Sequence, residues 1–404
     1  MLIAAQLCSA LADNALLIVT IALLQARGLP GWWAPLLKFG FTLSYVLLAP
    51  WVGPLADAFP KGRLMVWMNG VKVLGVLALL AGVPPVLAFT VVGFGAAAYA
   101  PAKYGLITEL VAPQRLVAAN GWLEVSVVCA ALLGTVVGGL LVSPWLLGLG
   151  WVGATSQWLP LPVGAAGGLS VSLLILLLIY ALAGLLNLGV PDSGARYPAA
   201  ALHPLQLVRE FRQANRTLWR DGDGGLSLAV TTIFWGVGAT LQFAVLRWAA
   251  DVLRLPLDRA AYLQAAVAVG VMAGAAAAGG WVPLRHARRM LGAGVVLGLL
   301  MTLVAVVTTL AWAVPLLVLV GAVGGLMVVP LNALLQHRGC QLLSAGRSVA
   351  VQGFNENASV LAMLAVYAGL LALELPIVML ISGLGLLIAL AMAALIWRER
   401  LKRR

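Results

Sequence analysis

Few residues of this chain could do chemistry within its apolar runs. An ionisable side chain at bilayer depth costs about 2.5–3.5 kcal/mol, so each one calls for a reason. Asp13, with Asn14 beside it, sits about 16 Å into the first apolar run at 1.5 Å per residue. Glu356 lies between Asn355 and Asn357 in the eleventh run. Two acids at similar depth in different halves of the chain point to the wall of a polar cavity. The alternative is that they tie helices together through hydrogen bonds. Glu124 lies nearer one end of its run and Lys72 lies within the third, and each reads equally well as a scaffold partner. Lys103, with Tyr99, Tyr104 and Glu109, closes the fourth run, where a lysine either acts or snorkels to the interface. Gln242 and Arg247 share the outer third of the seventh, and Arg247 reads as a loop charge near Asp251.

No enzyme is expected. The sequence holds no nucleophile elbow, no phosphate loop and no metal-ligand spacing. His203, His286 and His337 fall singly between runs, and Cys8, Cys129 and Cys340 read as inert thiols. Neither a cofactor nor a metal is expected. Without a nucleotide motif, any transport must be driven by gradients, that of the substrate included.

The elements that position these residues follow from composition. Hydrophobic residues make up 63% of the 404 and charged residues 9%, against about 25% charged in a soluble domain. Most of the surface must face lipid, and the unbroken apolar runs exclude a β-barrel. Twelve spans are expected: Leu2–Leu24, Ala34–Leu55, Leu64–Gly82, Pro85–Tyr104, Leu116–Val142, Gly168–Leu188, Ser227–Ala249, Ala260–Val282, Met290–Thr309, Trp312–Leu335, Arg347–Leu373 and Pro376–Trp397. The fold class is all-α and polytopic. The first run is too long for a signal h-region and reads as a span. With the N-terminus inside, the inner side takes nineteen of the 25 cations and the outer side five, which puts both termini in the cytoplasm. The net charge of +12 is thus a topology signal. It does not point to nucleic acid. Trp32, Trp33, Trp145 and Trp158 suit the outer interface, and the glycines at 134–139 and 270–280 suit close helix packing.

The stretch from Pro191 to Gly225 divides the chain into a six-helix bundle (1–190), a linker (191–225) and a second bundle (226–404). The halves echo each other. Pro101 aligns with Pro330, which sets Lys103 on Asn332; Gly121 aligns with Gly353 and Glu124 with Glu356. Parallel six-helix repeats place a substrate near the midplane between them. The loop after the second span holds Gly53, Asp57, Lys61 and Arg63, an acid four residues after a glycine and then a basic-Gly-basic cluster. It resembles the loop signature of the major facilitator superfamily, with two extra residues before the basic cluster. Asp57 can cap a helix N-terminus and pair with cations, and Gly53 lets helices approach closely.

Five strings resemble the bacterial lysophospholipid transporters of that superfamily. They are Ser9–Leu17 (SALADNALL), Tyr99–Gly105 (YAPAKYG), Phe234–Gly236, Val329–Gln336 (VPLNALLQ) and Glu356–Asn357. The resemblance runs over nearly the whole chain. It implies a flippase that moves lysophosphatidylethanolamine and related lysolipids across the bacterial inner membrane without ion coupling. On the cytoplasmic leaflet an acyltransferase coupled to acyl-carrier-protein synthetase restores the missing chain. A monomer in contact with membrane lipid is expected. In that setting Asp13 and Glu356 would attract the ammonium and Lys103 would take the phosphate, with Asn14, Tyr104, Gln242 and Asn357 also at the headgroup. Family members carry arginine where Gln242 stands, and Arg247, five residues on, is not quite on the same face. The chain also enters its first span without the family's short polar leader. The competing expectation is a proton-coupled exporter of amphipathic compounds, with Asp13 and Glu356 as proton carriers. A membrane-embedded lipid-remodelling enzyme comes third.

Overall fold

Lipid offers no partner to a backbone N–H or C=O, so a chain of long apolar runs must satisfy them within helices. The computed structural model describes residues 1–29, 33–152, 167–195, 197, 203–255 and 257–401, without the side chains of 167 and 257–261. Trp32, Trp158, Arg196, the Arg259 side chain and Lys402 to Arg404 lie outside the described residues. Twelve described helices are long and apolar enough to cross a membrane. They are α1 (Leu2–Ala26), α2 (Trp33–Ala58), α3 (Lys61–Leu80), α4 (Pro85–Leu110), α5 (Leu116–Leu141), α6 (Gly167–Leu188), α7 (Gly222–Asp251), α8 (Leu257–Trp281), α9 (Leu291–Val306), α10 (Leu310–Leu342), α11 (Ala345–Ala372) and α12 (Ile377–Leu401). All twelve expected spans are present.

Several helices outrun their apolar stretch because polar turns at their ends find partners. α10 continues past Leu335 to Leu342, so His337 lies within a helix and not in a loop, 3.2 Å from the Gln341 amide. α7 starts at Gly222 because the Asp221 carboxylate accepts from the Asp223 and Gly224 amides, at 3.1 and 2.8 Å, and caps it. α2, α4 and α10 run through internal prolines, among them Pro101 and Pro330.

The hydrophilic linker also holds a helix, Pro204–Arg220. Its Leu207, Ala214 and Leu218 are buried, while Arg209, Arg212, Arg216 and Arg220 are exposed.

The chain divides into two compact units. Unit 1 comprises residues 1–109, 129–212 and 344–353, and unit 2 comprises 110–128, 213–343 and 354–404. In unit 1, α6 packs on α1 and α3, around Leu16, Val19, Val76, Leu79, Leu173 and Leu176. Gly134 and Gly138 of α5 face α1, where a Cβ on Gly134 would lie 2.6 Å from the Leu11 carbonyl oxygen. In unit 2, α9 packs on α12 and α8 on α10. A Cβ on Gly270, Gly274, Gly321 or Gly325 would overlap a carbonyl of the facing helix, so α8 and α10 touch backbone to backbone. Large apolar side chains such as Leu87, Leu178, Trp281 and Leu390 stay exposed, as a lipid-facing surface requires.

Candidate functional site

The most developed polar cluster lies in unit 1 around Asp13. One turn of α1 brings Ser9 and Asp13 to the same face. Lys72 of α3 meets both, its Nζ 2.7 Å from Asp13 Oδ2 and 2.9 Å from Ser9 Oγ. Tyr180 of α6 donates its hydroxyl to Asp13 Oδ1 at 2.7 Å. Ser9 donates onward to Asn69 Oδ1 at 2.8 Å. The Lys72 ammonium also lies 5.3 Å from the Tyr99 ring centroid and 5.7 Å from that of Tyr180, within cation–π range. The Lys72 side chain is 2% exposed and that of Asp13 16%. The pair is therefore a buried cation under a carboxylate that keeps one side open. Tyr99 donates to Asn187 at 3.3 Å and closes the cluster on α4 and α6.

The other residues singled out for the headgroup are spread over both units. Asn14 turns back on its own helix and donates to the Ala10 carbonyl at 2.8 Å. Lys103 is one turn beyond Tyr99 on α4 and buried, its ammonium 4.3 Å from the Tyr104 ring centroid, so it packs inside the unit. In unit 2, Gln242 is exposed, and its carbonyl accepts from Gln264 at 2.8 Å. Arg247 pairs with Asp251 at 3.2 Å, both well exposed, as a helix-surface pair. Glu356 and Asn357 are half-buried on α11. Their neighbour Asn355 is taken by the linker helix, donating to Asn215 at 2.9 Å and accepting from Trp219 Nε1 at 3.0 Å.

The loop cluster after α2 is organised around the start of α11. Asp57 is 7% exposed. It accepts from the Ser344 hydroxyl, and from the Gly346 amide at 2.9 Å, so the carboxylate caps that helix. The approach needs glycine on both sides. A Cβ on Gly53 would lie 2.9 Å from Arg347 Cα, and one on Gly346 2.7 Å from Asp57 Oδ1. Lys61 turns the other way and pairs with Glu109 at 2.5 Å. Glu109 also accepts from Ser193 at 2.5 Å and Tyr197 at 3.0 Å, which pins the start of the linker. Arg63 is exposed. Arg347 reaches Glu210 of the linker helix at 2.9 Å.

Unit 2 holds a related contact. Gly279 of α8 faces Ala118 of α5, a Cβ there lying 3.2 Å from Ala118 Cα, as Gly53 faces Ala350 in unit 1. Ala118 and Ala350 each precede by three residues the glycines, Gly121 and Gly353, that align the repeats. Four residues after Gly279, however, stands Pro283 and not an acid. Asn120 donates to Gln336 of α10 at 2.9 Å. Glu124 and Asn332 are buried. Arg338 chelates Asp221 at 3.0–3.2 Å, and Arg288 bridges Asp223 and Glu399. Among the described residues, no group of His, Cys, Asp and Glu could hold a metal ion.

The sequence profile of the Major Facilitator Superfamily matches residues 2–355. The chain belongs to that superfamily. It is 41% identical over 401 residues to "Lysophospholipid transporter LplT" of Citrobacter koseri and 40% identical to the protein of the same name from Escherichia coli strain K12 / DH10B. Each alignment covers 98% of this chain and 95% of the relative. Among solved superfamily structures, the human organic anion transporter MFSD10 superposes with a TM-score of 0.74 at 14% identity, over 97% of both chains. The Escherichia coli fucose:proton symporter FucP gives 0.74 at 13%, over 98% of this chain and 97% of the other. These two fix the superfamily fold only.

Proposed function

We propose that this protein is a lysophospholipid transporter that brings lysophosphatidylethanolamine and related lysolipids to the cytoplasmic leaflet of a bacterial inner membrane for re-acylation. The observation that carries this is the 41% identity across 98% of the chain to a transporter of that name. The chain works as a monomer with both termini in the cytoplasm, two bundles of six spans and the linker between them. It supplies no acyl-transfer chemistry, which belongs to a separate acyltransferase with acyl-carrier-protein synthetase.

In unit 1, the open side of the Asp13 carboxylate receives the ammonium. Lys103, one turn from Tyr99, supplies a point charge for the phosphate. In unit 2, Glu356, Asn357 and Gln242 offer further polar contacts, and glutamine in place of the family's arginine shifts headgroup preference. Asn14 shapes the α1 turn on which Asp13 stands. Asp57 with Gly53, Lys61 and Arg63, and Glu124, Pro101, Pro330 and Asn332, belong to the helix contacts that move during transport.

Transport is facilitated, without proton coupling. The resemblance to lysophospholipid transporters supports this. The test is uptake of radiolabelled lysophosphatidylethanolamine by cells that lack their own transporter and keep the acyltransferase. Conversion to diacyl lipid that depends on this protein and ignores an uncoupler is expected. Conversion that collapses with the uncoupler would establish coupling. No conversion, with the protein in the membrane, would refute lysolipid transport.

A further inference from the structure

Every lysophospholipid carries a phosphate, and a bare carboxylate beside its path repels it. Lysolipids differ in the group that the phosphate bears. Lysophosphatidylethanolamine adds an ammonium and is net neutral, whereas lysophosphatidylglycerol adds an uncharged alcohol and stays anionic. The Asp13 site reconciles both through the residue beneath it. Lys72 is sealed from outside by Ser9, Tyr99 and Tyr180. Its side chain is 2% exposed, so it does not itself meet a lipid, and the group that it pairs with, Asp13, does. A carboxylate offers about four acceptor positions. Lys72 and Tyr180 occupy one on each oxygen, and the Asp13 side chain stays 16% exposed.

We propose that Lys72 is a positioning residue that sets headgroup tolerance: it cancels the Asp13 charge and fixes its carboxylate, so the site admits zwitterionic and anionic lysolipids alike. The proposal rests on the reading that Asp13 meets the headgroup. Nothing in α1 alone provides this neutrality, because its partner comes from α3, 59 residues away.

The experiment compares wild type, Lys72→Met, Asp13→Asn and the double variant, each assayed with lysophosphatidylethanolamine and lysophosphatidylglycerol for apparent KM. Lys72→Met exposes the phosphate to an uncompensated carboxylate. Its KM for lysophosphatidylglycerol should rise about tenfold relative to that for lysophosphatidylethanolamine. Asp13→Asn leaves an uncompensated cation and should shift the ratio the opposite way. The double variant should return the ratio to within about twofold of wild type, since a neutral site is restored. If Lys72→Met does not reach the membrane, the opposite shift of Asp13→Asn and its reversal in the double variant decide the matter. Loss of transport for both lipids with an unchanged ratio would make Lys72 a scaffold residue and overturn the proposal. Asp13→Asn indistinguishable from wild type with both lipids would remove the Asp13 reading itself.

Discussion

Lys72 Nζ lies 2.7 Å from Asp13 Oδ2, with Tyr180 on the other carboxylate oxygen. The acid that stands out most in the sequence therefore works as half of a pair. Removing one partner of a buried pair leaves an uncompensated charge, at a typical cost of about 3–5 kcal/mol. Asp13 keeps an open side, so its loss belongs toward the lower end of that range. Asp13→Asn should lower the melting temperature in detergent as well as transport. Asp13→Asn/Lys72→Met should recover much of the stability, read by the same thermal scan.

The Asp57 cap predicts a second outcome. Asp57→Ala strips the Ser344 hydroxyl and the Gly346 amide of their acceptor. An N-cap loss typically costs about 1 kcal/mol. Lysolipid uptake should fall severalfold with the protein still in the membrane, and amide exchange at the start of α11 should quicken. Unchanged exchange there would show that the cap does not hold that turn.

Gly270 and Gly280 provide a matched pair on α8. A Cβ at Gly270 would overlap the Val318 carbonyl, whereas one at Gly280 meets nothing within 4 Å. Gly270→Ala should destabilise by about 1–3 kcal/mol. Gly280→Ala should be neutral or add about 0.5–1 kcal/mol of helix propensity. Equal melting temperatures for the two variants would contradict the backbone contact.

Acid should act through Asp221. Burial pushes its carboxyl up, but the hydrogen bonds from Arg338 and from the Gly224 and Asp223 amides outweigh burial and hold it below the usual carboxylate range. Stability from this group is therefore fully present above its unfolded value of about 3.9. It is lost as pH falls from there through the lowered folded value. An unfolding series from pH 6 downward should show wild type losing stability below about pH 4, with Asp221→Asn lacking that share of the slope.

The twelve spans were legible because apolar length alone decides them, and Arg247 beside Asp251 was legible as a pair four residues apart on one helix. The capping ability of Asp57 was readable from its place after α2, but its target, the start of α11, lies nearly 290 residues on. Lys72 stands out in the sequence as an intramembrane charge, yet its partners come from α1 and α6, and no local pattern says that those helices adjoin α3. The linker helix did leave a signal: Leu207, Phe211, Ala214 and Leu218 recur at helical spacing among arginines. Its composition masked it as mere hydrophilic chain. In the sequence Asn355 is no more than a flank of Glu356, because nothing in α11 shows that Asn215 and Trp219 come to meet it.

Where α8 and α10 meet, no layer of side chains separates the two backbones at Gly270, Gly274, Gly321 and Gly325. An added Cβ at any of the four would lie 1.9–2.4 Å from a carbonyl oxygen of the facing helix. The seam between α8 and α10 therefore leaves no room for even a methyl group at these four positions.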